Sequence, residues 1–451
     1  MRLLAAFLLL IAPLLNAQPG IEGTWQGDLQ SPGGTLRLRL KIDRDGDGWK
    51  GTMDSLDQRA HGIPLEEVRY TEGRLSWKIS GLGVGFTGTL KAAEDLIAGQ
   101  FTQRGAALPL ELKRMAATAM ETAAPKRPQT PMPPFPYRTE DVMFVSKDVR
   151  VKLAGTLTTP QGRGPFPCLL LVSGSGAQDR DGTMFGHKPF AVIADYLARH
   201  GVAALRYDDR GIGRSTGEFL GATTADFALD AEGGIDYLLQ RTEFGMVGIA
   251  GHSEGALIAP MVAGRRREIR FAVMLAGAGV NGEAVLLSQA AAILRADGSS
   301  KEAIESNRKI QEALFAIARS RVSSEEMLRQ ARAQFGSNPG VDQQVKAISD
   351  PWFRYFLVLD PSVILQKVLC PVLVLNGELD TQVVADQNLS AVEAALRKGG
   401  NRQVSIQRFA RLNHLFQTAT TGSPSEYNRI EETISLAVLQ TILNWIEGVV
   451  K

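Results

Sequence analysis

A serine flanked by glycines follows an apolar run in the middle of the chain. Met246–Ala250 is apolar throughout, and Gly251-His252-Ser253-Glu254-Gly255 comes next, ahead of a helix-compatible stretch at 256–260. A strand, the pattern G-x-S-x-G and a helix in this order are typical of a nucleophile elbow. Glycine is expected on both sides because the turn is so sharp that larger side chains beside the serine would collide. The sequence therefore predicts that the Ser253 hydroxyl is a nucleophile at the end of a strand.

Such a serine needs a general base, and His414 is the histidine in the expected place. It follows the last predicted strand, Val404–Phe409, so it should emerge at the same sheet edge as Ser253, because parallel strands present their carboxyl ends together. His61 lies instead in an N-terminal β region, and His200 ends a helical stretch. We therefore predict that His414 accepts the serine proton.

The remaining histidines receive other interpretations. His252 adjoins the serine, and side chains that neighbour each other in an elbow are expected to point apart. His187 lies in the glycine-rich loop after the third strand of the second domain, where contact with substrate is expected. Gln178 and Asp179, in the same loop, are further candidates for contact with substrate.

An orienting carboxylate should follow a strand that lies between the serine and the histidine in sequence. The apolar run 371–375 leads into Asn376-Gly377-Glu378-Leu379-Asp380, and Asp380 holds the position after the turn, with Glu378 and Asp386 as alternatives. A carboxylate there would fix the imidazole tautomer and stabilise the imidazolium. The order serine, aspartate, histidine is the one expected of α/β-hydrolases.

An oxyanion hole should combine two backbone N–H groups. One belongs to Glu254, directly after the nucleophile, and the other to the loop 173–182, where Ser175 holds the donor position and Gly174 is the alternative. The Glu254 side chain needs no chemical role, because a carboxylate in the first turn of a helix is favourable in itself. The glycine-rich segment 208–215 lacks the spacing of a phosphate loop and is interpreted as structural.

Composition limits the class of protein. The chain has 451 residues, a net charge of +2 and 44% hydrophobic residues, so it should be globular and has no basic field for nucleic acid. Residues 1–17 resemble a signal peptide with a cleavage site after Ala17, which predicts export to the periplasm or medium without a stable membrane anchor. Cys168 and Cys370 each begin an apolar run and are interpreted as buried, unpaired residues.

The N-terminal part reads as β structure. Alternating apolar residues and turn signals over 18–115 predict a small antiparallel barrel or sandwich of about seven or eight strands. Acidic residues from Asp43 to Asp54 have the spacing of a calcium loop, but strand-like flanks favour a solvated hairpin turn. The proline-rich stretch 116–136 is interpreted as a linker between domains.

Residues 137–451 alternate apolar runs with helical stretches, which is typical of a sheet covered on both faces. We predict an α/β-hydrolase fold with an eight-stranded, mostly parallel sheet and the elbow after its fifth strand. The insert at about 281–361 reads as helices, with possible capping boxes at Ser299-x-x-Glu302 and Ser323-x-x-Glu326 and an apolar stripe from Ile310 to Ile317. We expect this insert to form a cap over the site.

Four segments together resemble the EstD-type esterase family of α/β-hydrolases, which is related to the serine aminopeptidase and dipeptidyl-peptidase-like hydrolases. They are residues 173–182, the elbow 251–255, Asn-Gly-Glu-Leu-Asp at 376–380 and Leu-Asn-His-Leu-Phe-Gln at 412–417. The resemblance covers about residues 137–450 and implies a carboxylesterase acting on short acyl chains, with Ser253, Asp380 and His414 as its triad. No metal or organic cofactor is implied, and the partner is a small-molecule ester.

Two other functions stay open at this point. An aminopeptidase or acyl-peptide hydrolase of the same fold would hold a substrate amine with carboxylates, which Asp179, Asp181, Asp208 and Asp209 could supply. A catalytically inactive module that binds the cell envelope through its β domain is the second alternative. The sequence does not give acyl or alcohol specificity or the oligomeric state.

Overall fold

The computed structural model describes residues 20–31, 34–46, 48–56, 60–79, 83–91, 93, 95–103, 106–115, 126–320, 322–337 and 339–451. The chain divides between residues 124 and 125 into two compact units, here called the β unit and the α/β unit. The predicted signal peptide, residues 1–17, lies outside the described residues, as does the stretch 116–125 of the predicted linker.

In its described residues, the β unit is one antiparallel sheet of nine strands, with strand order β4-β3-β2-β1-β9-β8-β7-β6-β5. The strands are β1 (Gly23–Ser31), β2 (Gly34–Asp45), β3 (Gly48–Ser55), β4 (Ala60–Pro64), β5 (Glu66–Thr71), β6 (Arg74–Ile79), β7 (Val84–Lys91), β8 (Leu96–Gln103) and β9 (Ala106–Arg114). The edge strands β4 and β5 are consecutive and only Leu65 separates them, so the two edges of the sheet lie side by side. The sheet thus curls into a barrel around buried side chains such as Trp25 and Trp77.

The sequence-based count of seven or eight strands was therefore too low. The short segments β4 and β5 carry little apolar alternation and are separated by one residue, so the sequence pattern did not resolve them as two strands. The acidic segment forms the β2–β3 hairpin, in which Asp43 lies opposite Lys50 and Asp45 opposite Gly48. Asp47 lies outside the described residues.

The α/β unit is built on an eight-stranded mixed sheet with strand order β10-β11-β13-β12-β14-β15-β16-β17. The strands are β10 (Arg138–Val145), β11 (Lys152–Thr159), β12 (Phe166–Val172), β13 (Ala203–Tyr207), β14 (Phe244–His252), β15 (Ile269–Leu275), β16 (Val372–Gly377) and β17 (Val404–Phe409). β11 is antiparallel to both of its neighbours, whereas the pairings from β13 through β17 are parallel. This is the strand arrangement of the α/β-hydrolase fold.

The helices of the α/β unit lie on both faces of this sheet and in the insert between β15 and β16. They are α1 (Pro189–Arg199), α2 (Thr224–Leu239), α3 (Gly255–Ala263), α4 (Gly282–Ala296), α5 (Lys301–Arg319), α6 (Ser324–Phe335), α7 (Pro339–Ile348), α8 (Pro351–Val358), α9 (Pro361–Leu365), α10 (Ala385–Lys398) and α11 (Leu436–Val450). Helices α2, α3 and α10 contribute to one apolar core with the sheet, and α1 and α11 contribute to the other. The inner strands β12 to β16 are largely buried on both faces, which explains their continuous apolar runs.

The stretch 126–136, predicted as linker, belongs to the α/β unit. The Arg127 guanidinium donates to the carbonyl oxygens of Phe185, Asn428 and Ile430, and Gln129 bonds the backbone of residues 433–434. The sequence predicted a linker because this stretch is rich in proline. Its composition does not show that Arg127 and Gln129 bond distant backbone groups of the α/β unit.

The insert is helical, as predicted, and comprises α4 to α8 with an apolar core of its own. Ser323 caps α6, since its hydroxyl accepts from the Glu326 N–H. The preceding cap is Ser300, which accepts from the Ala303 N–H, so the box assigned to Ser299 was one residue early. Ile310, assigned to the apolar stripe, is 38% exposed and lies at the edge of the packed face.

Candidate active site

The turn at Ser253 has the geometry of a nucleophile elbow. Strand β14 ends at His252, helix α3 begins at Gly255, and Ser253 between them has a φ of 55°, a conformation that non-glycine residues rarely adopt. A Cβ on Gly251 would lie 1.9 Å from the Gly255 carbonyl oxygen, and one on Gly255 would lie 2.2 Å from the Val172 carbonyl oxygen. Both positions therefore require glycine.

His414 is held by Asp380. Its Nδ1 lies 2.8 Å from Asp380 Oδ2, and both residues are buried. The other carboxylate oxygen accepts from the backbone N–H groups of Gln382 and Val383, each at 2.8 Å. Because Nδ1 donates to the carboxylate, the hydrogen-bond network assigns the proton to Nδ1 and leaves Nε2 as the basic nitrogen.

The alternative acids lie elsewhere. Glu378 is exposed, and Asp386 forms an ion pair with Arg408 at the surface. Ser253 and His414 line one cavity. Among the residues the structure describes, no hydrogen bond joins their side chains directly. Such bonds in catalytic sites commonly tighten only when substrate is in place.

His252 is the neighbour of Ser253 that sequence reasoning dismissed. Its Nε2 donates to the His414 carbonyl oxygen at 2.9 Å, and its ring centroid lies 4.7 Å from that of His414. Burial, followed by the proximity of His414, lowers the pKa of His252 to about 3, so the ring is neutral at ordinary pH. His252 therefore supports the backbone at His414 through this hydrogen bond. Because its own ring stays neutral, it does not compete with His414 for the serine proton.

The loop after β12 lies against the nucleophile. A Cβ on Gly174 would lie 3.2 Å from the Ser253 Cβ. Within residues 126–320, no intramolecular hydrogen bond uses the N–H groups of Gly174, Ser175 or Glu254. These are the donors that the sequence assigned to an oxyanion hole, and they are free to bond a developing negative charge.

Asp209 holds this loop at two points, Ser173 and Gln178. Its Oδ1 accepts from the Ser173 hydroxyl at 2.6 Å, and its Oδ2 accepts from the Gln178 N–H at 2.9 Å. Burial raises the pKa of Asp209 to about 7, and the charge of Glu254 adds to the shift. The segment 208–215 is thus structural, as predicted. Through Asp209 it positions the loop beside the nucleophile.

Two of the three predicted substrate contacts do not line the cavities beside Ser253. His187 is buried, and its ring bonds the Thr433 hydroxyl, the Tyr427 carbonyl oxygen and the Gln417 amide. Asp179 closes its own turn by accepting from the Asp181 N–H and from Thr183.

Of the three predicted substrate contacts, Gln178 is the one that lines the cavity shared by Ser253 and His414. A glycine-rich loop can place a polar residue towards the site or away from it, and sequence gives no signal that distinguishes the two.

The Glu254 side chain links the elbow to the insert. Its Oε1 accepts from the Thr224 hydroxyl and from the Trp352 indole N–H, each at 2.7 Å. Burial raises the pKa of the Glu254 carboxyl above its usual range, although both hydrogen bonds oppose this shift. The prediction that this side chain needs no chemical role did not anticipate a contact between Glu254 and helix α8.

Two cavities meet at Ser253, and both include Ser175 and Gln382. The histidine-side cavity, of about 70 Å³, is lined beyond these shared residues by side chains that include Met184, Phe190, His252, His414 and Leu415. The cap-side cavity, of about 140 Å³, is lined by Glu254 and by apolar side chains that include Leu257, Val285, Leu286, Trp352 and Phe356.

Within the described residues, no group of three or more His, Cys, Asp or Glu side chains is arranged to hold a metal ion. Nor does any helix in that part of the chain have the length and apolar character of a membrane span. Cys168 is buried, Cys370 is partly buried, and both are unpaired.

Comparison with known proteins gives a family match and a related esterase. The family described as serine aminopeptidase, S33, matches residues 187–333, which include Ser253 but neither Asp380 nor His414. Esterase EstD of Thermotoga maritima is 28% identical over 315 residues, covering 69% of this chain and 70% of EstD. The resemblance to the EstD-type esterases predicted from sequence is confirmed.

Similar solved structures include two esterases and a peptidase. Pyrococcus furiosus esterase Pf2001 is 15% identical and covers 69% of this chain and 93% of its own, with a TM-score of 0.43. Est1E from Butyrivibrio proteoclasticus, with ferulic acid bound, is 15% identical and covers 68% and 99%, with a TM-score of 0.41. Pyrococcus horikoshii acylaminoacyl peptidase is 14% identical and covers 91% and 61%, with a TM-score of 0.43.

Proposed function

We propose that this chain, a relative of the EstD-type esterases, hydrolyses carboxylic esters of small, short-acyl substrates through a Ser253–His414–Asp380 triad. The observation that carries the proposal is the buried His414–Asp380 hydrogen bond of 2.8 Å in the loop that shares a cavity with Ser253. The relatedness to EstD supports ester hydrolysis as the reaction.

In the proposed mechanism, the Ser253 Oγ attacks the ester carbonyl carbon while the His414 Nε2 takes the hydroxyl proton. The carbonyl oxygen becomes an oxyanion that accepts from the N–H of Glu254 and from that of Ser175 or Gly174. The intermediate then expels the alcohol, which receives its proton from the His414 Nε2, and leaves Ser253 acylated. Water repeats the sequence on the acyl-enzyme and releases the acid.

The electrostatics of the site support this course. The Asp380 carboxylate faces the imidazolium that forms during attack, and two N–H groups of the following turn stabilise that carboxylate. His252 lies beside His414 with a pKa lowered to about 3 by burial, so it adds no positive charge that would oppose protonation of the base.

The four carboxylates that an aminopeptidase could use to bind a substrate amine already have partners within the chain. Asp179 closes a turn, Asp181 pairs with Lys188 and Arg206, and Asp208 pairs with Arg180. Asp209 accepts from the Ser173 hydroxyl and the Gln178 N–H. Because these carboxylates already have partners in the chain, they favour an ester over a substrate with a free amino terminus.

Turnover of p-nitrophenyl acetate and butyrate, compared with turnover of an aminoacyl p-nitroanilide, tests the proposal. We expect kcat/KM to be larger for the esters and to fall by about 10⁶ in Ser253→Ala, the scale seen when a triad serine is removed. A higher kcat/KM for the anilide would replace the esterase with a peptidase. Absence of turnover by the folded wild-type protein would favour an inactive binding module.

We propose further that the protein is exported, with residues 1–17 removed. N-terminal sequencing of the protein from a periplasmic or culture fraction tests this, and we expect a mature terminus at Gln18. An intact Met1 on protein confined to the cytoplasm would contradict it.

A further inference from the structure

The two cavities divide the space around the nucleophile into distinct compartments. Both contain Ser175, Ser253 and Gln382, so a substrate that occupies both has its central atoms beside the serine. His414 lines the histidine-side cavity but not the cap-side cavity. An ester likewise has two arms, acyl and alkoxy, that leave the reacting carbon in different directions.

Proton transfer decides which arm enters which cavity. When the tetrahedral intermediate collapses, the C–O bond to the alkoxy group breaks, and the departing oxygen takes the proton that His414 Nε2 had received from Ser253. A general acid must be within hydrogen-bond reach of the oxygen it protonates. The alkoxy oxygen therefore faces the histidine-side cavity, and the acyl arm extends into the other.

The cap-side cavity fits an apolar acyl chain. Its walls include Leu257, Val285 and Leu286, together with the rings of Trp352 and Phe356, which stack with centroids 5.3 Å apart. The Glu254 carboxyl is the acidic group on its lining, and burial raises the pKa of that carboxyl. An uncharged aliphatic chain can be buried against these apolar walls, whereas an anionic acyl group would lose its hydration and find no cationic side chain among the described residues of the lining.

The Glu254 hydrogen bond fixes one wall of this cavity. The indole N–H of Trp352 donates to Glu254 Oε1 at 2.7 Å, so the ring is tied to the residue next to the nucleophile. Helix α8 of the insert thereby has a defined position over the elbow. A wall held in this way limits the length of chain that the cavity accepts.

We propose that the cap-side cavity is the acyl site, selective for short uncharged aliphatic chains, and that the histidine-side cavity receives the alcohol. This assignment rests on the proposed esterase function. Its specificity-determining residues are Leu286 and Trp352 on the acyl side and Met184 on the alcohol side.

A matched pair of truncations tests the assignment. Leu286 and Met184 are half-buried and each lines one cavity only, so Leu286→Ala and Met184→Ala enlarge the two compartments separately. Each variant and the wild type are assayed with p-nitrophenyl esters of acetate, butyrate, hexanoate and octanoate. A second series uses acetate esters of methanol, butanol and hexanol.

We expect Leu286→Ala to raise kcat/KM for the longer acyl chains relative to acetate by about fourfold per methylene accommodated, while the alcohol series keeps its profile. Met184→Ala should change the alcohol series and leave the acyl series unchanged. Exchanged profiles, or no change in either, would overturn the assignment while leaving the esterase intact. Failure of the wild type to hydrolyse any ester would instead overturn the proposed function.

Discussion

At the scale of single residues, the three proposed catalytic side chains are held in different ways. Asp380 accepts hydrogen bonds from two backbone N–H groups and from His414. His414 is fixed by that carboxylate and by His252, which donates to its carbonyl oxygen. Ser253 is positioned by backbone geometry, because its φ of 55° points the side chain out of the turn.

Replacing Asp380 tests how much of the reaction depends on the orientation of His414. We expect Asp380→Asn to lower kcat by about 10⁴ with p-nitrophenyl butyrate, because an amide would leave His414 in the wrong tautomer. The matched control is Asp386→Asn, which changes an exposed carboxylate on the same stretch of chain and should keep kcat within about twofold. Similar losses in both variants would remove Asp380 from the mechanism.

Asp209 should make the stability of the α/β unit depend on pH. Burial raises the pKa of Asp209 to about 7, whereas an unfolded aspartate titrates near pH 3.9. Between about pH 4 and about pH 7 the folded state holds a proton that the unfolded chain releases, so stability falls as pH rises through this window and then becomes constant.

Relative to Asp209→Asn, the wild type should lose about 1.4 kcal/mol of unfolding free energy per pH unit within that window. Pulse proteolysis in urea at pH 5 and pH 6, with the α/β unit followed on gels, measures the difference. Parallel pH dependence in the two proteins would mean that Asp209 titrates normally.

The sequence predicted that Ser253, Asp380 and His414 each follow a strand of a parallel sheet, and in the structure they follow β14, β16 and β17, whose carboxyl ends share one edge. It did not find the roles of His252 and Asp209. Both act by bonding backbone groups of a different loop, and no spacing in the chain records which loops become neighbours. The bonds of His187 within the chain were missed for the same reason, since its partners lie more than 200 residues away.

At the scale of elements, the elbow depends on close approach between strand, helix and the neighbouring strand end. We expect Gly251→Ala to destabilise the α/β unit by about 3 kcal/mol or more, because the added Cβ would overlap the carbonyl oxygen of Gly255, a backbone atom that cannot move aside as a flexible side chain could.

Gly448→Ala is the control, since a Cβ at Gly448 in α11 would meet no atom within 4 Å. That change should be neutral or stabilising by up to about 1 kcal/mol, as alanine favours the helix. Urea denaturation of both variants measures the contrast. Equal stability would mean that the elbow has room that its geometry does not indicate.

Strands with a clear apolar pattern were predicted well, whereas two short strands of the β unit were not resolved. The apolar run Met246–Ala250 lies within β14, and the predicted strand Val404–Phe409 is β17. The strands β4 and β5, with five and six residues, gave too little alternation to be separated. Helix α5 begins at Lys301 because the hydroxyl of Ser300, rather than that of Ser299, reaches a free N–H of the first turn.

At the scale of the whole molecule, the two units have separate cores and the candidate site belongs to one of them. The β unit packs around side chains such as Trp25 and Trp77, and the α/β unit around its own sheet. Every residue in the proposed mechanism lies between 126 and 451. The boundary at 125, rather than 137, could not be predicted, because it is set by hydrogen bonds from Arg127 and Gln129 to distant backbone.

A chain of residues 126–451 should therefore fold alone and hydrolyse p-nitrophenyl butyrate with kcat/KM within about threefold of the full-length value, as expected of an independent domain. Starting the chain at 137 instead removes Arg127 and Gln129, and should lower the unfolding midpoint by about 1 M urea or more. A fragment 126–451 that folds but is inactive would assign the β unit a part in catalysis.

Covalent labelling of the nucleophile provides the most direct measurement. The full-length protein and Ser253→Ala are treated with a fluorophosphonate probe, and the modified peptide is mapped by mass spectrometry. The expected result is one phosphonyl group on the hydroxyl of residue 253 in the wild type and none in the variant. A folded wild-type protein that stays unmodified, or carries the group on a different residue, would contradict nucleophilic catalysis by this serine.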